Sequence, residues 1–415
     1  MDEWKEYKIS EVIDEISMGP FGSNIKVDNF IDSGVPVLNG SNLQGFKLNE
    51  NSFNYVSQEK ADSLGKANAH RGDVVITHRG TLGQIVYIPD DSKFEQYVIS
   101  QSQFRLKLKK DFIRPDFFAY FFHTRLGQHR ILMNASQVGV PALARPTSTF
   151  KDVCIPVPPM EKQNKVMDIL HSLDDKIEVN RRINDNLEHQ AQALFKSWFV
   201  DFEPFKNGEF VESELGMIPK GWRVGTLGEI ADINPSRALK KGDDATYLDM
   251  KNMPTSGPFP MCCESKVYTG GMRFQNKDIL MARITPCLEN GKVAYVNFLE
   301  DKEIAFGSTE YIVMTSKNGF FPELLYFLCR DEDFKGYATK NMNGSSGRQR
   351  VSGETIGNYK IAIPPKALIE SIASFYKGIM DNIKNNGFES RRLAELRDTL
   401  LPKLMSGELK VSDIH

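Results

Sequence analysis

The residues best suited to chemistry in this chain sit in loops, and they are hydrogen-bonding types. Gly19-Pro20-Phe21-Gly22-Ser23-Asn24-Ile25-Lys26 offers Ser23, Asn24 and Lys26, and Asn39-Gly40-Ser41-Asn42 offers Asn39, Ser41 and Asn42. A loop between two apolar runs carries His78, Arg79, Thr81 and Gln84, with Gln101 and Arg145 further on. The second half repeats the theme with Lys251, Asn252, Arg283, Thr285, Lys292, Ser308, Thr309, Arg348, Gln349 and Arg350. Arg suits bidentate contact with guanine, Asn and Gln with adenine, and Ser or Thr with either, while the cations also hold phosphates. The signal is the clustering of these types in matching loops, because a single polar loop residue is usually only solvated.

Catalytic signatures are missing. There is no G-x-x-x-x-G-K-[ST] phosphate loop and no G-x-G-x-x-G after a strand. An adenine methyltransferase would hold its flipped base with Asn/Asp-Pro-Pro-aromatic, and Asn234-Pro235-Ser236-Arg237 fails that pattern at two positions. His70, His78, His123 and His129 are scattered and resemble no metal site. Asp73 and Asp278 precede strands and are expected to be solvated turn residues rather than nuclease acids. The five cysteines form no C-x-x-C pair, so neither a metal knuckle nor a disulfide framework is indicated. No catalytic residue, metal ligand or cofactor is expected.

The elements that must carry these loops are announced by an internal repeat. Adding 206 to each number from Pro158 onward maps Pro158-Pro159 onto Pro364-Pro365, Val166 onto Ile372, Ile177 onto Ile383 and Asn180 onto Asn386. The same shift maps Leu187 onto Leu393, Leu194 onto Leu400 and Trp198 onto Leu404, and such a repeat outranks any single motif. Apolar residues three or four apart, in register in both copies, predict two long helices with a helix–helix seam. Asn180 and Asn386 interrupt the seam at equivalent places, where a polar residue lowers stability but fixes partner and register. Tandem prolines end the preceding strand and suit a helix's first turn. About 40 residues at 1.5 Å each make a rod of roughly 60 Å. Burial of each helix in a separate domain is the alternative; the matched register favours pairing.

Around the rods the chain divides into 1–157, a first domain; 158–199, the central helix; 200–221, a linker; 222–363, a second domain; 364–405, the distal helix; and 406–415, a tail. Trp4 to Ile16 reads as strand and turn, Val98 to Leu108 as a strand and Asp116 to Arg125 as an aromatic helix. Trp222 through Ile230 echoes Trp4 through Val12, Asp278 to Met281 echoes Asp73 to Ile76, and Phe321 to Leu328 echoes the aromatic helix. Ser345-Ser346-Gly347-Arg348-Gln349-Arg350 echoes the loop Val138 to Thr149 around Arg145, and Arg283 and Thr285 appear in a hairpin loop as Arg79 and Thr81 do. The acidic, Gly/Pro-containing linker suggests an exposed connection. The fold class is α+β: two repeated α/β domains, each followed by a long helix, the helices pairing as an antiparallel coiled coil.

Composition sets the remaining bounds. The chain has 415 residues, 40% hydrophobic and 26% charged, with a formal net charge of -2. That balance argues against coating nucleic acid by bulk charge, though not against local basic clefts. No stretch of 18 apolar residues exists and Met1 to Lys5 does not read as a signal peptide, so a cytoplasmic protein is expected.

Ile155-Pro156-Val157-Pro158-Pro159-Met160-Glu161-Lys162-Gln163 resembles the strand-to-helix junction of the specificity subunit of type I restriction-modification systems. So do Trp198 to Phe205, the restart Ser213 to Trp222 and the ending Leu401-Pro402-Lys403-Leu404-Met405-Ser406-Gly407-Glu408-Leu409. Gly19 to Asn24, Asn39 to Asn42, Arg283 to Lys292 and Ser345 to Arg350 look like family loops. One departure is Lys366-Ala367-Leu368-Ile369, which lacks the Glu-x-Gln of the first junction. The resemblance implies a non-catalytic subunit whose two target recognition domains each read half of a bipartite double-stranded DNA site, with the paired helices setting the spacer. It implies two methyltransferase (modification) subunits using S-adenosylmethionine on the helices and linker, and motor-nuclease (restriction) subunits in the full complex. Two rivals stand beside it: a self-contained DNA-modifying enzyme, which would act without partners, and a coiled-coil scaffold with two protein-binding domains, which would show no DNA sequence preference.

Overall fold

The computed structural model describes residues 4–133, 135–136, 139–260, 262–345 and 347–410. It resolves into two compact units, one of residues up to Ile177 together with those from Arg391, the other Glu178–Ser390.

In the first unit a four-stranded antiparallel sheet runs in the order Ile13–Met18, Gln103–Leu108, Asp73–Thr77, Ile85–Tyr87. A second sheet runs Asn54–Val56, Val35–Val37, Gln96–Val98, Asn68–His70, its central pair parallel. Val74, Ile76, Phe104 and Leu106 point to one face, where they meet the aromatic helix Pro115–His123; Val75 and Val86 point to the other and pack under the second sheet. This two-sided burial explains the continuous apolar run at Val74-Val75-Ile76, because a strand covered on both faces shows no alternation.

The second unit repeats this topology strand for strand. One sheet runs Ala231–Ile233, Tyr311–Ser316, Asp278–Ala282, Val293–Tyr295; the other Glu264–Val267, Asp244–Leu248, Ala305–Gly307, Met272–Phe274, again with one parallel pair. In each unit the opening strand pairs antiparallel with the last strand before the long helix: Lys5–Lys8 with Cys154–Val157, and Arg223–Thr226 with Lys360–Ile363.

Two sequence expectations are corrected here. Val98 to Leu108 is not one strand: Gln96–Val98 and Gln103–Leu108 belong to different sheets, and the polar turn Ser100-Gln101-Ser102 carries the chain between them. The linker is not a bare connection either. Phe210–Ser213 and Gly216–Pro219 form a hairpin, and its acidic residues are paired, Glu209 with Lys220 and Glu214 with Lys360. Trp222 closes it against Phe199, Phe202 and Phe205.

The long helices are Met160–Phe199 and Lys366–Ser406, and they pair antiparallel. In the first unit Asp174 accepts from Arg397 at 2.5 Å, and Val166, Met167 and Leu170 share a core with Leu401, Leu404 and Met405. In the second, Asn180 Nδ2 donates to Glu389 Oε2 at 2.7 Å and Asn386 Nδ2 donates to Asn184 Oδ1 at 2.8 Å. Asn180 is fully buried. The seam asparagines therefore bond across the pair, which fixes its register. Pairing and domain burial coexist: Ile372, Tyr376, Ile379 and Ile383 lie in the same core as Leu325 and Phe327 of the second domain.

The departure at the second junction is also structural. Gln163 is fully buried; its Nε2 donates to the carbonyls of Phe112 and Pro158 at 3.0 and 2.9 Å, and its Oε1 accepts from Arg114 N at 2.9 Å. At the matching place Ile369 is buried in an apolar core. One junction is held by a satisfied amide and the other by hydrophobic packing.

Candidate nucleic-acid interface

In the first domain the strand ends bring three loops together. Gly19 and Gly22 lie flat against the Ser100–Gln101 turn: a Cβ on Gly19 would fall 1.9 Å from the Ser100 carbonyl oxygen, and one on Gly22 2.2 Å from Gln101 Oε1. Held at both sides, the loop projects Phe21, 82% exposed, with Asn24 and Lys26 also exposed. Next to it the strand-connecting hairpin presents His78, Arg79, Thr81 and Gln84. His78 Nε2 lies 3.1 Å from the Gln101 carbonyl. Burial holds the His78 imidazole below its ordinary pKa, which keeps it neutral near pH 7. Thr81 Oγ1 donates to Gln84 Oε1 at 2.7 Å, and Gln84 Nε2 donates to the Gly40 carbonyl at 3.2 Å, tying the hairpin to the turn Gly40–Leu43.

That turn sorts its asparagines. Asn39 Oδ1 accepts from Ser41 N and Oγ at 2.8 and 2.6 Å, leaving Asn39 and Ser41 exposed. Asn42 is buried, and its Nδ2 donates to the carbonyls of Asn49 and Ser52, so it builds the loop rather than facing outward. Arg79 is exposed, its backbone bridged to Ala142; Arg145 is exposed in a left-handed conformation at the start of the helix Pro146–Lys151. Among the described residues neither arginine has an ion-pair partner. The Ser23 side chain, Val138 and Ser346 lie outside the described residues.

The second domain places its residues on the same frame with different electrostatics. Asp249 caps the turn Met250–Asn252 through Lys251 N at 2.9 Å, as Asn39 does for Ser41. Lys292 Nζ donates to the Met250 carbonyl at 2.7 Å, the role Gln84 plays at Gly40. Lys251 is exposed, 3.7 Å from Glu264; Asn252 is half-buried. Thr285 and Gln349 meet through Thr285 N and the Gln349 carbonyl at 3.1 Å. Ser308 Oγ accepts from Glu310 N, and Thr309 and Arg348 are exposed. Arg350 is held by Glu310, Nε 3.0 and 2.9 Å from Oε1 and Oε2 and Nη2 2.8 Å from Oε1. These bonds keep the Glu310 carboxyl below the usual range.

The backbone corrects one equivalence read from the sequence. His78 N donates to Ser102 O at 2.8 Å and Leu143 N to His78 O at 2.8 Å; Arg283 N donates to Glu310 O at 3.0 Å and Val351 N to Arg283 O at 3.0 Å. Arg283 therefore matches His78, and Arg79 matches Ile284. The shared identity of the arginines hid a one-residue offset that only the pairing reveals.

Asp73 and Asp278 are corrected too. Both are buried, not solvated. Asp73 accepts from His70 N at 3.0 Å and lies 3.4 Å from Arg105 Nη1; Asp278 accepts from Gln275 N at 2.8 Å and from Arg237 Nη2 at 2.6 and 2.7 Å. Burial raises both carboxyl pKa values against the pull of these donors. They brace the turn before the strand. Sequence reasoning missed Phe21 and Glu310: the first is betrayed only by its exposure, the second only by its partner, although an aromatic between two glycines was a readable signal.

Among the described residues no group of three or more His, Cys, Asp or Glu could hold a metal ion, and no helix is long and apolar enough to cross a membrane. Two repeated mixed domains on an antiparallel helix pair, with polar loops gathered at one set of strand ends, match a known pattern: type I restriction modification DNA specificity domains align with residues 1–189 and 219–396. The chain belongs to that family. Its relatives include the specificity subunit of the type I restriction enzyme MjaIX of Methanocaldococcus jannaschii, 26% identical over 99% of this chain and 95% of that one. The HindI specificity subunit of Haemophilus influenzae is 22% identical over 99% of this chain and 100% of its own length. The crystal structure of a type I restriction-modification S subunit from M. genitalium shares the fold, with a TM-score of 0.55 at 16% identity over 97% of this chain and 96% of that one. Membership of this type I specificity family gives the chain a role in DNA sequence specificity, not in catalysis.

Proposed function

We propose that this specificity subunit reads a bipartite duplex DNA target, residues 1–157 one half and residues 222–363 the other. The observation that carries this is the duplication: two domains alike strand for strand whose corresponding loops differ in chemistry, as two readers of different sequences on one scaffold should. In the first domain the reading surface is assigned to Asn24, Lys26, Asn39, Ser41, Arg79, Thr81, Gln101 and Arg145, with Ser23 and His78 beside them. In the second it is assigned to Lys251, Asn252, Arg283, Thr285, Ser308, Thr309, Arg348, Gln349 and Arg350. Asn42, Gln84 and Lys292 hold these loops in place. The helices 158–199 and 364–405 set the unread spacer, and they and the linker 200–221 dock two modification subunits, which supply adenine methylation from S-adenosylmethionine; restriction subunits complete the cytoplasmic complex. A subunit of net charge -2 fits a clamp in which partners share the phosphate contacts.

The test is a methylome. The chain is co-expressed with its modification subunit in a methylation-free host and N6-methyladenine is mapped. A split motif with an unspecified gap, lost when this chain is omitted, is expected. Methylation that is absent or indifferent to this chain, with the partner soluble, would favour a scaffold. Methylation or cleavage by the purified chain alone would establish a self-contained enzyme. Removing one heptad from each helix should change the gap, and an unchanged gap in an intact complex would sink the ruler.

A further inference from the structure

The two domains serve as each other's control. At three matched backbone positions the first domain carries His78, Ser102 and Ala142, where the second carries Arg283, Glu310 and Arg350. The backbone pairing is the same: Arg79 bridges Ala142 as Ile284 bridges Arg350. The scaffold therefore stands without a formal charge at any of the three positions, since His78 is neutral, and the charged trio is not a demand of the fold. Such a departure from local need is where function is expected.

The trio has a specific geometry. Arg350 has five N–H donors. Nε is shared between the two Glu310 oxygens, Nη2 gives one hydrogen to Oε1, and Nη1 gives one to the Arg348 carbonyl at 3.1 Å. One N–H is left on each terminal nitrogen. With the plane held by Glu310, Nη1 and Nη2 each keep a hydrogen to donate, and a guanidinium on a fixed plane is what a bidentate contact to guanine O6 and N7 takes. The Arg350 side chain is 41% exposed, so that edge can be reached. A phosphate is the poorer occupant, because the Glu310 carboxylate repels a full negative charge more strongly than the partial charges of a neutral base edge. Arg283 adds a second cation close by, its buried Nε without a hydrogen-bond partner.

We propose that Glu310 is a positioning residue that fixes the Arg350 guanidinium, and that Arg350 reads a guanine in the half-site of the second domain. This rests on the two-domain reading above and adds the base and the residue that orients its reader. A strut would matter equally for every sequence; a positioned reader matters for one base.

The experiment maps N6-methyladenine for the co-expressed complex carrying wild-type chain, Arg350→Ala, Arg350→Lys or Glu310→Gln. The wild-type motif should hold an obligatory guanine in one half. All three variants should relax that guanine, discrimination falling about tenfold or more, with the other half and the gap unchanged. Lysine should not rescue, since it keeps the charge and loses the fork. If Arg350→Ala does not assemble, the near-isosteric Glu310→Gln decides. A split motif whose guanines are untouched by Glu310→Gln overturns this proposal alone, as does a uniform fall at all sites with no change of base. A wild-type motif that is not split overturns the two-domain reading and this proposal with it.

Discussion

The first and second domains solve the same burial problem from different places. Asp73 and Asp278 are equivalent carboxylates, each capping the turn before a central strand and each buried. In the first domain the neutralising cation is Arg105, on the adjacent strand opposite Val75. In the second domain that strand position is Val313, opposite Leu280, and the cation is Arg237, from the loop after Ala231–Ile233. The consequence falls on that loop. Where the strand supplies the arginine, the loop is free to push Phe21 into solvent; where the loop supplies it, Arg237 is 9% exposed and turned inward. The two domains keep the charge balance of the buried carboxylate but not the residue that provides it, and that choice decides which loop is left to project into solvent.

Four measurements break or sharpen this comparison. The largest effect should come from Arg237→Ala, which leaves the Asp278 carboxylate buried without its cation; a loss of about 3 kcal/mol in denaturant unfolding is expected. Adding Val313→Arg, which copies the first domain's arrangement, should regain part of it, and no recovery at all would show the two solutions are not interchangeable. Next, Ile369→Gln puts an amide where the second junction offers apolar neighbours and should cost about 2 kcal/mol, whereas Gln163→Ala in the first leaves backbone groups unpaired at roughly 1–2 kcal/mol; equal tolerance in both would contradict the distinction. Third, Arg79→Ala and Arg283→Ala should relax different half-sites. Arg79 is exposed and its loss should leave melting unchanged, while half-buried Arg283 should shift both motif and melting; identical motifs in both mutants would refute the assignment.

The smallest effect is a pH dependence. His78 and His123 have pKa values lowered by burial, and both lie in the first unit. Below the ordinary histidine value of about 6.5 the unfolded chain binds protons that the folded unit refuses. Stability is therefore full above that value and falls as pH drops toward the lowered folded values. The second unit contains neither residue, so its melting should not share the slope that these two impose. Replacing His78 and His123 with Gln should flatten it in the first unit.

Much of the architecture was legible because it is written twice. The offset of 206 between Val166 and Ile372 or Asn180 and Asn386 survives because both helices bury the same face, and periodicity reports burial directly. The loops were legible as a class, not residue by residue. The offset that maps Asp73 onto Asp278 carries on to map His78 onto Arg283 and Arg79 onto Ile284, but an arginine near the start of each hairpin loop made Arg79 and Arg283 look alike by identity. Asp73 looked like a solvated turn residue because its partner, Arg105, is distant in sequence, and nothing local announces a long-range ion pair. Val98 to Leu108 read as one strand because the polar run Ser100-Gln101-Ser102-Gln103 holds no Gly or Pro to mark a break.

The first unit has a further property, which concerns the order of synthesis. Its core includes Leu401, Leu404 and Met405, packed with Val166, Met167 and Leu170, and Trp4 lies against Gly407. The second unit is a continuous run from Glu178 to Ser390. On the ribosome, the domain translated first must wait with an open flank while the whole of the later one emerges. The domain begun first is finished after the second, and the helical turns at Leu401 to Met405 act as a seal applied only once the second domain has been made.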